Sequence, residues 1–141
     1  MVDEAVVVDH LRAVNEYTND LKDMRTLSKE AYLDDVVVQR AVERPFMNLI
    51  QACIDVAEHV RSADALAPSG TSKQGVEALG QAGIIAAETE AKLTEAVGFR
   101  NVLAHRYGEI DHEIVYDVLH TELHWFEAFQ QEVAQWLKRR E

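Results

Sequence analysis

The chain contains few residues that crosslink or interrupt secondary structure: one cysteine, two prolines and six glycines in 141 residues. A single cysteine excludes an intrachain disulfide, and the position of Cys53 on an apolar helical stripe predicts a small core residue rather than a nucleophile. No apolar run approaches the roughly 18 residues needed to cross a bilayer, and Met1 to His10 lack the basic start and apolar core of a signal peptide. We therefore expect a cytoplasmic chain without a membrane partner, folded as one domain over residues 1–141.

Positive charge is also scarce. There are 14 Lys and Arg residues against 25 Asp and Glu residues, which gives a formal net charge of −11. Repulsion between such a surface and phosphate groups disfavours loose binding to nucleic acids or anionic membranes. One restricted basic cleft is compatible with this charge, and Lys92, Arg100 and Arg106 are the candidates for its edge.

Apolar residues recur at steps of three and four along most of the chain, which is the period of an amphipathic helix. No segment alternates with period two over the length of a strand. The apolar stripes comprise Val7, Leu11, Val14, Leu21 and Met24, then Val38, Val42, Phe46, Leu49, Cys53, Val56 and Val60, then Leu93, Ala96, Val97 and Leu103, and finally Val115, Val118, Leu119, Leu123, Phe126, Phe129, Val133 and Trp136. The pattern predicts an all-α fold, a bundle of four long helices with one short helix between the second and third long ones.

Polar residues and glycines predict where these helices begin and end. Ser72 is a candidate N-cap for the short helix, and Gly80 and Gly83 lie near the end of that helix. Gly108 is a candidate left-handed residue at the end of the penultimate helix, because glycine adopts that conformation without a steric cost. Asp111 is a candidate N-cap for the last helix.

Pro45 lies inside the second stripe. A proline there removes one helical hydrogen bond and clashes with the preceding turn, at a cost of roughly 3 kcal/mol. We therefore expect a kink near Ala41 to Pro45, or a helix that restarts there.

The residues with the most chemical potential lie at the predicted end of the penultimate helix, where Arg100 to Tyr107 reads RNVLAHRY. A guanidinium, an amide, an imidazole and a phenol within about two helical turns could hold a phosphodiester and move a proton on it. Arg100 and His105 are separated by about 140° around a helix, so their side chains do not share a face. Asn101 and His105 are four apart and do share one. Tyr107 returns to nearly the side of Arg100 if the helix continues that far.

Arg100 shares its face of the predicted helix with the apolar residues Leu93, Ala96 and Leu103. An arginine in that position needs a partner, because an unpaired buried charge is very costly. The partner could be an internal carboxylate, a second protein chain or a bound anion. A purely structural interpretation is also open, since the helix dipole favours cations in a last turn and a tyrosine at a helix end often covers the edge of a core.

His120 and His124 form a weaker candidate site. They are four apart on the predicted last helix, but HTELH does not have the residue order of the metalloprotease HExxH motif, and no third ligand is evident. Exposed helix histidines are the simpler interpretation. The chain also lacks a glycine-rich phosphate loop. We expect neither a metal nor another cofactor.

RNVLAHRY matches an R-x4-H-x-Y motif, by which the chain resembles the HepT-like toxins of the HEPN superfamily of helical ribonuclease domains. The stretches QRAVERPFMNLIQACIDVAEHV, EALGQAGII and GFRNVLAHRYGEID are similar to that family in the same order, most clearly from about Val36 onwards. The resemblance implies a HEPN-type bundle that forms a homodimer, with the motifs of the two chains facing one another. A composite cleft in such a dimer would place Arg100 of one chain beside His105 of the other.

The resemblance also implies a role for each residue of the motif. His105 would act as general acid or base on the 2′-hydroxyl or the leaving oxygen, because histidine gains and loses a proton near working pH. Arg100 would stabilise the charge on the phosphoryl oxygens, and Asn101 would orient the phosphate or the imidazole. Cleavage would need no metal, would produce a 2′,3′-cyclic phosphate and a 5′-hydroxyl, and would leave DNA intact.

HepT-like toxins are typically encoded beside a small nucleotidyltransferase antitoxin, and the resemblance implies that this partner transfers AMP to Tyr107. We expect a type VII toxin that cleaves tRNA or mRNA, with Lys92 and Arg106 as possible RNA contacts. Arg106 alternatively pairs with Glu109. A second hypothesis is a non-catalytic dimeric module that binds the nucleotidyltransferase and presents substrate to it. The acidic charge favours this module, whereas the motif residues favour the nuclease.

Overall fold

The structure is a computed structural model that describes residues 2–140. Its elements, in order, are α1 (Glu4–Asp23), a 3-10 turn (Met24–Thr26), α2 (Lys29–Leu33), α3 (Val36–Ala63), α4 (Ser72–Gln81), α5 (Ala87–His105), a second 3-10 turn (Tyr107–Glu109), α6 (His112–Thr121) and α7 (His124–Arg139). Residues 2–140 contain no strand, and the predicted all-α class is confirmed. No helix within this range is long and apolar enough to cross a membrane.

The long helix α3 lies at the centre of the bundle. It packs against α1, α4 and α5, and the short helix α2 packs beside its start. α7 packs against both α1 and α5, so the first and last helices are neighbours. The predicted stripes supply most of the core, including the fully buried residues Val7, Val14, Leu21, Val42, Phe46, Leu49, Val56, Val60, Leu119, Leu123, Phe129 and Val133.

Cys53 is 1% exposed within this core. Burial raises the pKa of its thiol far above the ordinary range, and the charge of Asp55 adds to the shift. Because the thiolate is the reactive form of cysteine, this thiol is inert in the folded chain. The predicted core role of Cys53 is confirmed.

Several helices begin at polar caps. Asp3, Asp35 and Asp111 precede α1, α3 and α6, and each carboxylate accepts hydrogen bonds from two backbone N–H groups of the first turn. The prediction for Asp111 is confirmed. The cap of α4 is Thr71 rather than Ser72, because Thr71 and Gln74 form a reciprocal capping box.

The helix α3 continues through Pro45. Of the two outcomes expected there, a kink or a restart, the restart is therefore wrong. The proline removes the hydrogen bond to the carbonyl of Ala41, but Ala41 is exposed, so water can bond that carbonyl. Phe46 and Leu49, which follow the proline, are nevertheless fully buried. Each contributes about 1.5–3 kcal/mol through burial, which offsets the cost of the proline.

The predicted last helix is two helices, which corrects the sequence interpretation. α6 ends at Thr121, whose hydroxyl donates to the carbonyl of Asp117, and α7 begins at His124. Leu123 lies at the break and is fully buried. The break turns Leu123 inward while keeping the three-and-four spacing of the apolar residues, so the sequence pattern does not reveal it.

The end of α5 also differs from the prediction. α5 ends at His105, and its C-cap is Arg106, with φ −132° and a backbone N–H that donates to Val102. Gly108 lies in the 3-10 turn that follows and does not serve as the left-handed cap. Gly83, after α4, is the glycine with left-handed φ, at 75°.

Candidate functional site

The helix α5 carries the motif, and α7 holds the opposite end of that helix in place. The N-cap position of α5 is Ala86, which has no side chain able to cap it. Glu132 of α7 replaces the local cap: its carboxylate accepts the backbone N–H of Ala86 at 2.6 Å and the hydroxyl of Thr89 at 2.8 Å. Together with the buried residues Val97 and Leu103, this contact fixes where the C-terminal end of α5 lies.

Arg100 is half-buried in the last turns of α5. Its Nε is buried and has no hydrogen-bond partner within the described chain. Across residues 2–140, no carboxylate lies within ion-pair distance of its guanidinium. The sequence left three possible partners for Arg100: an internal carboxylate, a second chain or a bound anion. The described residues do not provide the carboxylate, so a second chain or a bound anion remains.

The polar residues that follow Arg100 face solvent. Asn101 and His105 are exposed within α5, four residues apart and therefore on the same side. Arg106 is exposed and lies 3.5 Å from the carboxylate of Glu109, so the pairing considered from the sequence is present. The end of α5 thus combines a half-buried guanidinium with an imidazole that a large substrate can reach.

Tyr107 lies beyond the end of α5, so helical spacing no longer determines its direction. The expectation that it lies near the side of Arg100 required a continuous helix and therefore does not apply. The tyrosine is 55% exposed. Its ring instead lies against α3, where the guanidinium carbon of Arg40 is 5.1 Å from the ring centre. This distance is typical of a cation–π contact.

Lys92 lies far from this end of α5. Thirteen residues separate it from His105, which corresponds to about 20 Å along the axis. Its ammonium lies 3.6 Å from the carboxylate of Glu122 and 5.8 Å from the ring centre of Trp125. Lys92, Arg100 and Arg106, the predicted basic edge, therefore lie at separate places along α5 and just beyond its end, and they do not cluster at the motif.

A buried polar cluster that the sequence did not predict lies close to Tyr107. Glu43 on α3 is 1% exposed, and both of its carboxylate oxygens accept hydrogen bonds from Nη1 of Arg40, at 2.8 and 3.0 Å. Nδ1 of His112, at the start of α6, lies 3.7 Å from the same carboxylate. A signal was present: Glu43 precedes the buried residue Phe46 by three positions, and so lies on the apolar face.

Tyr32 of α2 completes the cluster. It is fully buried, its ring centre lies 6.3 Å from that of His112, and its hydroxyl has no hydrogen-bond partner among residues 2–140. Burial raises the pKa of Tyr32 well above the ordinary range, the negative charge of Glu43 raises it further, and Arg40 partly opposes both. The phenol therefore stays neutral, and the charges of the cluster are those of Arg40 and Glu43, with His112 adding a third when protonated.

His120 and His124 are not on one helix, which corrects the spacing argument. His120 lies in α6, where its ring nitrogens are 2.9 Å from the carbonyl oxygen of Tyr116 and 3.1 Å from that of Arg25. It therefore joins α6 to the turn after α1 and is not a free surface histidine. Within residues 2–140 no three His, Cys, Asp or Glu side chains are grouped so that they could hold a metal ion.

Solved structures share this fold along almost the whole chain. A tri-AMPylated Shewanella oneidensis HEPN toxin in complex with MNT antitoxin superposes with a TM-score of 0.86 at 23% identity, covering 96% of this chain and 99% of that one. The cytosolic protein of unknown function YutE from Bacillus subtilis has a TM-score of 0.80 at 13% identity, covering 99% and 93%. The predicted HEPN-type bundle is confirmed.

Sequence comparison gives relatives of similar length. The tRNA nuclease HepT of Aphanizomenon flos-aquae is 24% identical over 136 residues, which cover 96% of this chain and 92% of that protein. The mRNA nuclease HepT of Shewanella oneidensis is 30% identical over 98 residues, covering 70% and 74%. The family model for ribonuclease HepT-like proteins matches residues 14–133. The chain therefore belongs to the ribonuclease HepT-like family.

Proposed function

We propose that this chain is an RNA-cleaving toxin of a type VII toxin–antitoxin system, and that a nucleotidyltransferase antitoxin neutralises it by attaching AMP to Tyr107. The observation that carries the proposal is the end of α5, where the buried Nε of Arg100 has no partner among the described residues and His105 is exposed. Relatives named as tRNA and mRNA nucleases, and a related AMPylated toxin in complex with MNT antitoxin, support it.

The proposed reaction uses the ribose itself as nucleophile. A His105 imidazole takes the proton of the 2′-hydroxyl, the 2′-oxygen bonds to phosphorus, and the bond from phosphorus to the 5′-oxygen breaks. A proton delivered to that oxygen by water gives a 5′-hydroxyl and a 2′,3′-cyclic phosphate. Arg100 stabilises the charge on the phosphoryl oxygens, because its planar fork bonds two of them at once. Asn101 orients the imidazole or the phosphate, and no step needs a metal ion.

The dimer is the assembly in which this reaction makes structural sense. Arg100 and His105 point about 140° apart around α5, so one helix does not direct both at one phosphate. Two chains with facing motifs would bring Arg100 of one beside His105 of the other. This arrangement would also give the half-buried guanidinium of Arg100 the partner that it lacks among the described residues.

The acidic surface limits which contacts can hold RNA. Lys92 and Arg106 are the proposed RNA contacts, and each is paired with a glutamate in the free chain. The pair of Arg106 with Glu109 is exposed, with 65% and 67% of the side chains accessible. An exposed pair of this kind contributes only about 0.2–1 kcal/mol, so a phosphate can replace the glutamate at little cost.

The first experiment measures RNA cleavage by purified protein, with tRNA and mRNA as substrates and with EDTA present. We expect cleavage to cyclic-phosphate ends, and a loss of about 100-fold or more for His105→Ala, the usual contribution of a general acid or base. His124→Ala, which removes an exposed histidine at the start of α7, is the matched control and should cleave as wild type does.

Two outcomes would refute parts of the proposal. Loss of cleavage in EDTA would refute the metal-free reaction. Intact RNA, together with harmless expression of wild type in cells, would refute the toxin and favour the non-catalytic module that binds a nucleotidyltransferase. For Tyr107, intact-mass measurement after co-expression with the nucleotidyltransferase should show added AMP in wild type and in Tyr17→Phe, and none in Tyr107→Phe.

A further inference from the structure

Arg40 connects the motif to the buried cluster on α3. Its guanidinium lies over the ring of Tyr107, and its Nη1 donates to both oxygens of Glu43. Glu43 is 1% exposed, so its carboxylate has little freedom to move, and His112 approaches it from a second side. The Arg40 guanidinium therefore lies between two groups. It bonds the buried carboxylate of Glu43, and it also contacts the exposed ring of Tyr107.

Arg40 retains hydrogen-bonding capacity in this position. A guanidinium carries five N–H donors in a planar fork. Both bonds to Glu43 come from Nη1, and within residues 2–140 no acceptor bonds Nε or Nη2. The side chain is 47% exposed, so these donors face a region that solvent, or a group attached to Tyr107, can enter.

The contact distance defines what this guanidinium can reach. Its carbon is 5.1 Å from the centre of the Tyr107 ring, and the phenolic oxygen is bonded directly to that ring. A phosphate joined to the phenolic oxygen would therefore lie within reach of the free N–H groups. A guanidinium and a phosphodiester form charge-assisted, bidentate hydrogen bonds, which are among the strongest that a protein surface offers.

We propose that Arg40 is a positioning residue for Tyr107: it holds the phenol ring in place for nucleotide transfer and then pairs with the phosphodiester that results. The inference rests on the proposed modification of Tyr107. It adds to that proposal a residue on α3, far from the motif in sequence, that determines how readily the tyrosine is modified and how firmly the attached nucleotide is held.

The transfer step balances without a proton from Arg40. The phenolic oxygen bonds to the α-phosphorus of ATP, the bond from that phosphorus to pyrophosphate breaks, and the phenol proton passes to a base of the transferase. The product is a phosphodiester with one negative charge. Arg40 keeps its own charge throughout, because guanidinium does not lose a proton in proteins. Its contribution is orientation before the step and ion pairing after it.

The test compares Arg40→Gln and Arg40→Lys with Arg12→Gln. Arg12 is a suitable control because it also pairs with an acidic residue three positions away, Asp9, and both side chains are exposed. Each protein is incubated with the nucleotidyltransferase and ATP, and AMP addition is followed by intact mass. The modified proteins are then compared by ³¹P NMR, because the chemical shift of the phosphodiester reports a guanidinium beside it.

We expect Arg40→Gln to lower kcat/KM for AMP addition about tenfold, as the loss of one charge-assisted contact implies, and to shift the ³¹P resonance. Arg40→Lys should fall between Gln and wild type, because it keeps the charge without the planar fork. Arg12→Gln should match wild type in both measurements. If Arg40→Gln does not fold, as judged by circular dichroism, the Lys variant decides in its place.

Equal rates and equal ³¹P shifts for wild type and the Arg40 variants would overturn the inference and leave the modification of Tyr107 intact. A wild type that gains no AMP at Tyr107 would overturn the modification itself and the inference with it. A third result would reassign the residue: if Arg40→Gln raises KM for RNA cleavage by unmodified protein and leaves AMP addition unchanged, Arg40 is an RNA contact and the proposed role is wrong.

Discussion

Glu43 illustrates how this bundle holds a charge inside its apolar interior. The residue is 1% exposed and lies among the buried residues of α3, yet its two oxygens accept from Arg40, with His112 nearby. A buried carboxylate without such donors would be strongly destabilising. The cation that satisfies Glu43 is the same one that contacts Tyr107, so one ion pair serves both the core and the motif.

We predict that Glu43→Gln lowers the free energy of unfolding by about 1–3 kcal/mol, the usual cost of leaving a buried donor or acceptor poorly satisfied. Urea denaturation followed by circular dichroism measures the change. Asp9→Asn is the control, because Asp9 pairs with Arg12 on an exposed face, and an exposed pair of this kind is worth at most about 1 kcal/mol. Equal effects of the two substitutions would show that Glu43 is not buried as described.

The residues of the motif were predictable and those of the buried cluster were not. Arg100, Asn101, His105 and Tyr107 lie within eight positions, so a short sequence pattern contains them all. The cluster around Glu43 draws its members from α2, α3 and α6 and from the turn after α5. Only the pairing of Arg40 with Glu43 is local enough to be inferred from spacing. The contacts to His112 and Tyr107 require the tertiary fold.

The helix α3 shows that a proline can lie inside a stable helix. Its twenty-eight residues continue through Pro45 because the carbonyl that loses its partner, that of Ala41, faces solvent. The nearby residues Phe46 and Leu49 remain fully buried. The cost of the proline is therefore a lost hydrogen bond and local crowding, without an unsatisfied group in the core.

We predict that Pro45→Ala raises the free energy of unfolding by about 1–2 kcal/mol, because the lost helical hydrogen bond returns and alanine favours helix. Pro68→Ala is the matched control. Pro68 is exposed in the loop between α3 and α4, where proline mainly restricts the unfolded chain, so its removal should lower stability by about 0.4–1 kcal/mol. Thermal denaturation distinguishes the two, and a loss of stability in Pro45→Ala would contradict our account of α3.

Apolar spacing predicted the existence of the long helices well and their ends less well. The stripes of α1, α3 and α5 were correct because each helix buries one continuous face. The break between α6 and α7 was missed, since Leu123 is buried at the break as it would be in an unbroken helix. The short helix α2 was missed because five residues are too few to show a period.

The proposed active site draws its residues from two chains. If Arg100 of one protomer acts with His105 of the other, a mixed dimer of Arg100→Ala and His105→Ala contains one intact site and one with neither residue. Neither variant alone contains an intact site. Random mixing of equal amounts should restore about a quarter of wild-type cleavage, because half of the dimers are mixed and each has one of two sites.

The measurement is RNA cleavage after the two variants are unfolded together and refolded. His105→Ala mixed with the double variant Arg100→Ala/His105→Ala is the control, since no combination of those chains provides both residues. Restored cleavage in the first mixture alone would support the shared site. No restoration, from mixed dimers verified by native mass spectrometry, would refute it and return both residues to a single chain.

The neighbouring positions of α1 and α7 have a consequence for how the protein is made. Lys22 of α1 pairs with Glu127 of α7 at 2.8 Å, and Glu132 of α7 caps α5. During translation the motif is synthesised before α7, so the end of α5 that carries it lacks the contacts of α7 until that helix has been added. The position of α5 is therefore fixed only once α7 has been synthesised and has left the ribosome. On the proposed function, RNA cleavage would begin only after that point.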